Sequence, residues 1–85
     1  MDPAKPDSEL PLFDRSVSLL CWAYNEEDSI LEYLERATAL LNSTISEYEI
    51  VLIDDGSTDK TYEIARKFQE KNQKLRIYRN EKNLN

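Results

Sequence analysis

Two carboxylates stand side by side at Asp54 and Asp55, directly after the apolar run Ile50-Val51-Leu52-Ile53 and directly before Gly56-Ser57-Thr58-Asp59-Lys60-Thr61. Acids at the end of a rigid apolar support, beside a glycine turn, can accept hydrogen bonds from a ligand's N–H or O–H groups with charge-assisted strength. A similar junction lies upstream, where Val17-Ser18-Leu19-Leu20-Cys21-Trp22 runs into Ala23-Tyr24-Asn25-Glu26-Glu27-Asp28-Ser29. There an aromatic ring supplies apolar area and the amide and acids supply polar groups. Two polar loops that each follow an apolar run imply one shared crevice. Successive strand positions face opposite sides, so Asp54 and Asp55 have different jobs, one facing the crevice and the other securing the loop. The plainer alternative is that both acids only satisfy backbone donors of the Gly56 turn and favour the N-terminus of the helix that follows.

Spacing removes several familiar chemistries. A phosphatase loop of the type Asp-x-Asp-Gly-Thr needs its nucleophilic acid where Ile53 stands. A calcium loop counted from Asp54 needs a bidentate Glu at its twelfth position, which is Ala65. Dinucleotide and P-loop signatures require two or three glycines, and the chain has 1, Gly56. A receiver domain needs a phospho-accepting Asp at the end of a later strand, where Arg79-Asn80 occur. A catalytic thiolate at Cys21 would want a histidine, and the chain has 0, so Cys21 reads as a small buried hydrophobe. One cysteine also excludes an internal disulfide.

The elements that must position the two loops follow from hydrophobic periodicity. Residues 1–15 carry all three prolines (Pro3, Pro6, Pro11) among acids and read as a flexible arm, leaving residues 16–85 as the folding portion. Val17 to Trp22 is predicted as the first strand. Ser29 with Glu32 three residues on forms a capping box, and Ile30, Leu31, Leu34, Ala37, Thr38 and Leu41 share a helix face that runs to Asn42 or Ser43. Glu49 to Ile53 lacks polar alternation, as a parallel strand buried on both faces does. Asp59 caps a second helix with Thr61, Ile64, Ala65 and Phe68 on one face, which frays by Asn72. Leu75 to Arg79 reads as an edge strand. The order β-α-β-α-β with short links gives the α/β half of a doubly wound parallel sheet, Rossmann-like, with strand order 3-2-1. In such sheets ligands bind at the carboxyl ends of the strands, where both polar loops fall.

With both junctions in hand, the segment from Val17 to Asn85 resembles the N-terminal part of family 2 glycosyltransferases, inverting nucleotide-sugar enzymes of the GT-A fold. Ala23-Tyr24-Asn25-Glu26-Glu27 is similar to the loop after that family's first strand. Glu49 through Thr61 is similar to its second strand and nucleotide loop, and Asn83-Leu84-Asn85 resembles the start of an Asn-rich segment. Trp22 departs from the pattern, which usually has proline there. The resemblance implies a nucleotide site built from Ala23, Tyr24, Asn25, Glu26, Asp54, Asp55 and Gly56. In it Tyr24 lies against the base, Asn25 and Glu26 shape the loop and reach toward the ribose, Asp55 accepts a base ring N–H, and Asp54 supports the loop or the ribose side. It further implies a UDP- or GDP-sugar as donor and a divalent metal, Mg or Mn, whose ligands lie beyond the matched stretch together with the catalytic base and acceptor site. The 85 residues alone are therefore expected to be a truncated, inactive portion of a transferase, with the first strand's free edge open to self-association. The alternative of a different class is a non-catalytic α/β binding or receiver-like module that uses this edge.

Charge sets the remaining bounds. A net charge of −6 argues against a nucleic-acid groove and against electrostatic attachment to anionic lipid. No apolar stretch approaches the ~20 residues of a membrane span. The N-terminus lacks the basic and apolar regions of a signal peptide, so cytoplasmic residence is expected, with membrane association only through regions beyond this segment.

Overall fold

The computed structural model describes residues 13–81. Three parallel strands alternate with two helices: β1 (Phe13–Ala23), α1 (Ile30–Thr44), β2 (Ile45–Asp55), α2 (Thr61–Gln69) and β3 (Leu75–Asn80). The sheet order is β1-β2-β3, which is the expected 3-2-1 read from the other edge. Both crossovers step the same way across the sheet, and right-handed connections then place both helices on one face. The burial pattern agrees, because Ile30, Leu34 and Leu41 of α1 and Ala65 of α2 share one core with Cys21, Ala23, Ile50, Leu52 and Leu75.

This one-sided cover corrects the expectation that β2 is buried on both faces. Ile50 and Leu52 are 1% exposed, whereas Val51 and Ile53, on the side without helices, are only half-buried. On the same open face Leu20, Trp22 and Tyr78 are 57%, 62% and 57% exposed. The register aligns Leu20 with Val51 and Arg76, then Trp22 with Ile53 and Tyr78, so one apolar row crosses that face and a second ends at the charged Arg76. Below them the Ser18 hydroxyl donates to Glu49 Oε2 at 2.5 Å, and Arg76 Nε reaches Glu49 Oε1 at 2.7 Å. The Ser18 bond, opposed by partial burial and joined by Arg76, holds the Glu49 carboxyl below its usual range.

Other boundaries also moved. Residues 13–15, expected in the arm, belong to β1, because β2 begins at Ile45 and offers Phe13 a partner, with an irregular register before Ser16. Pro3, Pro6, Pro11 and the Asn83-Leu84-Asn85 segment lie outside the described residues. The predicted capping box does not form: Ser29 precedes α1, but its hydroxyl donates to Glu26 Oε1 at 3.3 Å rather than accepting a helix N–H. Glu26 supplies the turn instead, its carbonyl accepting from the N–H groups of Ser29 and Ile30. Leu31, assigned to the buried helix face, is 44% exposed because Ile30 and Leu34 alone point into the sheet at that end.

The core is small, so each buried side chain matters: full burial of a leucine or isoleucine is worth about 1.5–3 kcal/mol. A domain of this size has a net stability on the order of 10 kcal/mol or less. Leu52→Ala is expected to cost about 2–5 kcal/mol through lost transfer energy and an unfilled cavity. Leu40→Ala, at a position 62% exposed, should change stability by less than about 0.5 kcal/mol. Urea unfolding followed by circular dichroism checks both, and equal effects would contradict this core.

Candidate functional site

Parallel strands bring the carboxyl ends of β1, β2 and β3 to one end of the sheet, and the polar residues gather there. Loop 1 (residues 24–29) leaves β1 through Tyr24, which is 43% exposed, and Asn25, whose φ of 53° lies in the left-handed region. Asparagine tolerates that conformation better than most residues. It lets the Asn25 side chain turn toward loop 2 (residues 56–60), where Oδ1 accepts from the N–H of Thr58 at 2.9 Å and of Asp59 at 3.3 Å. In return the Ser57 hydroxyl accepts the Asn25 N–H at 2.9 Å, and the Thr61 hydroxyl accepts the Glu26 N–H at 2.7 Å. Glu27 completes the seam, its N–H donating to Asp59 Oδ2 at 3.2 Å and its Oε1 accepting the Lys60 N–H at 3.0 Å. Two loops more than thirty residues apart in sequence thus form one polar shelf.

Asp54 and Asp55 divide as the strand pleat requires. Asp54, on the helix face, is 0% exposed, and its Oδ1 accepts from both the N–H and the hydroxyl of Ser57. Its Oδ2 makes no hydrogen bond and is compensated by Arg79 Nε at 3.4 Å. Arg79 also donates to the Ser57 carbonyl at 3.3 Å and lies over the Tyr62 ring, 4.5 Å from its centroid, so β3, loop 2 and α2 meet at this cation. Asp55, on the open face, is 8% exposed and accepts from Asn80 Nδ2 at 3.0 Å. Gly56 follows with φ of 79°, the conformation that only glycine takes without a Cβ penalty, and it turns the chain sharply back toward α2.

The expected Asp59 cap is displaced: Lys60 holds the N-cap position of α2 without a side-chain cap bond, and Asp59, one residue earlier, accepts the Thr61 N–H. Burial works against its ionisation. Hydrogen bonds from the Thr61 hydroxyl at 2.5 Å, the Thr61 N–H at 2.9 Å and the Glu27 N–H outweigh that and hold its carboxyl below the usual value.

Of the seven residues named from sequence, Ala23 is buried beneath the shelf and offers backbone only. Asn25 commits its Oδ1 to shaping the loops, while Tyr24 and Glu26 remain exposed on loop 1. Asp54, Asp55 and Gly56 are buried in loop 2 and its strand. Sequence reasoning passed over Ser57, Thr61, Arg79 and Asn80. A signal for the last two was present, since a parallel third strand must end level with Asp54 and Asp55, and the register pairs Asp54 with Arg79 and Asp55 with Asn80.

The two acids point to opposite faces of β2 and do not converge on a cation. Among the described residues no group of three or more His, Cys, Asp or Glu side chains could hold a metal ion. Nor is any helix among the described residues long and apolar enough to cross a membrane.

Beside loop 1, at the open edge of β1, a cavity of about 380 Å³ is lined by Cys21, Trp22, Ala23, Glu26, Ser29, Ile30, Tyr33 and Leu52. Cys21 Sγ and the Tyr33 hydroxyl are 3.0 Å apart. That contact, then burial, push the Tyr33 phenol up to about 12. A raised folded value means a contribution to stability fully present below pH 10 and lost as pH rises through about 12. In a spectrophotometric titration Tyr33→Phe should remove phenolate absorbance from the alkaline end of the curve; loss from its early part would refute the contact.

The loop seam makes its own prediction. Asn25→Gly keeps the left-handed backbone but removes the acceptor, and is expected to cost about 1–3 kcal/mol through the unpaired loop 2 donors. Amide exchange at Thr58 and Asp59 should accelerate while the β2 core stays protected. Uniform acceleration would mean that the seam is not an independent unit.

The sequence model of Glycosyl transferase family 2 matches residues 18–85. Among curated relatives, an undecaprenyl-phosphate 4-deoxy-4-formamido-L-arabinose transferase of Edwardsiella ictaluri is 50% identical over 50 residues, covering 59% of this chain and 15% of that protein. Proteins of the same name from Photorhabdus laumondii and Pseudomonas fluorescens are 46% identical over 50 residues and 44% over 48, covering 15% and 14% of their lengths. The chain thus matches only about a seventh of each of these relatives. Because the family match takes in both loops, all of β2 and β3 and most of β1, the chain belongs to glycosyltransferase family 2.

Proposed function

We propose that this chain forms the nucleotide-recognition portion of the donor site of an inverting glycosyltransferase that uses a nucleotide-activated sugar. The observation that carries this reading is the polar shelf made by loops 1 and 2 at the carboxyl ends of parallel strands, the place where such sheets bind ligands. In this reading the Tyr24 ring covers the base with apolar area, and Asp55 accepts the ring N–H of uracil or guanine with charge-assisted strength. Glu26 stands on the ribose side. Asp54 and Asn25 stiffen the shelf, while Ala23 and Gly56 let backbone approach the ligand. Binding to a preformed shelf avoids the entropic cost of ordering two loops at the moment of association.

The parent enzyme is proposed to work in the cytoplasm or at the cytoplasmic face of a membrane. The names of the relatives support a polyprenyl phosphate as acceptor, bound by regions other than those described here. The 85 residues alone are proposed to lack transferase activity, because no acid among them takes the part of general base on the family's pattern. A second reading, a non-catalytic module that associates through β1 or the open sheet face, is favoured by the exposure of Leu20, Trp22 and Tyr78.

The test is a two-dimensional amide NMR titration of the chain with UDP and with GDP, each with magnesium. Shifts confined to Tyr24 through Asp28 and Asp54 through Ser57 are the expected result and identify the base. A dispersed spectrum that ignores both nucleotides would overturn the donor-site reading in favour of the association module.

A further inference from the structure

Loop 1 follows β1 and Arg79 belongs to β3, with β2 between them, yet a continuous line of polar contacts joins the two. Arg79 sets its Nε 3.4 Å from Oδ2 of the buried Asp54. Asp54 Oδ1 accepts the Ser57 hydroxyl proton, and the oxygen of that hydroxyl accepts the Asn25 N–H at 2.9 Å. The guanidinium also holds Ser57 directly, Nη2 donating to its carbonyl at 3.3 Å. Among the described residues Arg79 is the cation paired with Asp54. Arg66, the other arginine at the Tyr62 ring, donates to the Tyr62 hydroxyl at 2.9 Å, and Glu81, just past β3, is exposed.

The line has a direction. An ionised carboxylate can only accept, and a hydroxyl has one proton to give. With Asp54 charged, the Ser57 proton is committed to Asp54, which leaves the oxygen lone pairs to the Asn25 N–H. Arg79 is what makes that charge tolerable at a position without solvent access. Asn25 is held at a φ of 53° directly after Tyr24, the ring assigned to the base. A cation on one edge strand therefore governs where an aromatic side chain leaves the other. A second line of the same construction does not pass through Arg79: Asp59 Oδ1 accepts the Thr61 hydroxyl, whose oxygen accepts the Glu26 N–H at 2.7 Å.

We propose that Arg79 is a positioning residue of the nucleotide site, acting through Asp54 and Ser57 to hold loop 1 at Asn25 and so to set Tyr24 against the base. The inference rests on the donor-site reading above and adds to it a residue of β3 that works at a distance from the ligand.

The test is a double-mutant cycle on nucleotide affinity, joined to amide exchange without nucleotide. UDP and GDP, each with magnesium, are titrated into the wild-type chain, Arg79→Met, Ser57→Ala and the double variant. Each single variant should bind about tenfold more weakly. The double variant should bind about as weakly as either single one, because removing Ser57 already cuts the line through which Arg79 acts. Losses that multiply, or an Arg79→Met chain that binds like wild type, would overturn the positioning role while leaving the donor site standing. Failure of the wild-type chain to bind either nucleotide would overturn the donor site and with it the role of Arg79 there.

The exchange measurement separates this coupling from a strand end that is merely loosened. In Arg79→Met the Asn25 amide should exchange about tenfold faster, while the Glu26 amide, held by Asp59 and Thr61, keeps its protection. Equal acceleration of both amides, or of neither, would refute the coupling whether or not nucleotide binds. Leaving a buried carboxylate without its cation can prevent folding, so Arg79→Lys is measured in parallel. It keeps a compensating charge, but a point charge on a flexible stem does not also hold the Ser57 carbonyl in a fixed fork. A severalfold faster exchange at Asn25, with Glu26 unchanged, is the expected result for this variant; wild-type exchange at Asn25 would overturn the proposal.

Discussion

A carboxylate with no solvent access organises the functional end of this molecule. Asp54 is 0% exposed, and removing an ionised carboxyl from water costs several kcal/mol unless partners replace the lost hydration. The replacements come from three places: the N–H and hydroxyl of Ser57, the guanidinium of Arg79, and through Arg79 the ring of Tyr62. Satisfying one charge therefore pins the start of loop 2, the end of β3 and the first turn of α2 to one another. One oxygen keeps only the 3.4 Å ionic contact, so the arrangement has little slack.

Loop 1 joins this anchored unit by a different physics. Its bonds to loop 2 are single hydrogen bonds, the neutral ones worth about 1 kcal/mol net and the two to the Asp59 and Glu27 carboxylates about 1.5–3, and several of them lie at the surface. They share two hubs, the Asn25 side-chain oxygen and the Thr61 hydroxyl. The Thr61 hub is buried, and that protects it from competition with water. A rigid loop 2 and a loop 1 fastened to it make a surface whose polar groups are arranged before any ligand arrives.

The rest of the sheet is built more economically. Helices cover one face, and the other leaves Leu20, Trp22 and Tyr78 open to solvent. An open face of this kind follows directly from two right-handed crossovers running in the same direction, since each must return on the same side.

How much of this was legible beforehand can be read from particular residues. The apolar runs, the helical spacing and the short links determined the element order and the parallel sheet, because periodicity and handedness rules act locally along the chain. The acids with their glycine, and the Tyr24-Asn25-Glu26 loop, marked the right end of the sheet for the same reason. Tertiary structure alone decided which acid turned to the helix face, that Asn25 fastens one loop to the other, that Ser29 caps nothing with its side chain, and that Arg79 and Asn80 belong to the site. Those outcomes depend on strand register and on which face the helices cover. Both are set by contacts between residues about twenty-five to thirty-five positions apart, a separation at which sequence spacing carries no geometric information until the chain has folded.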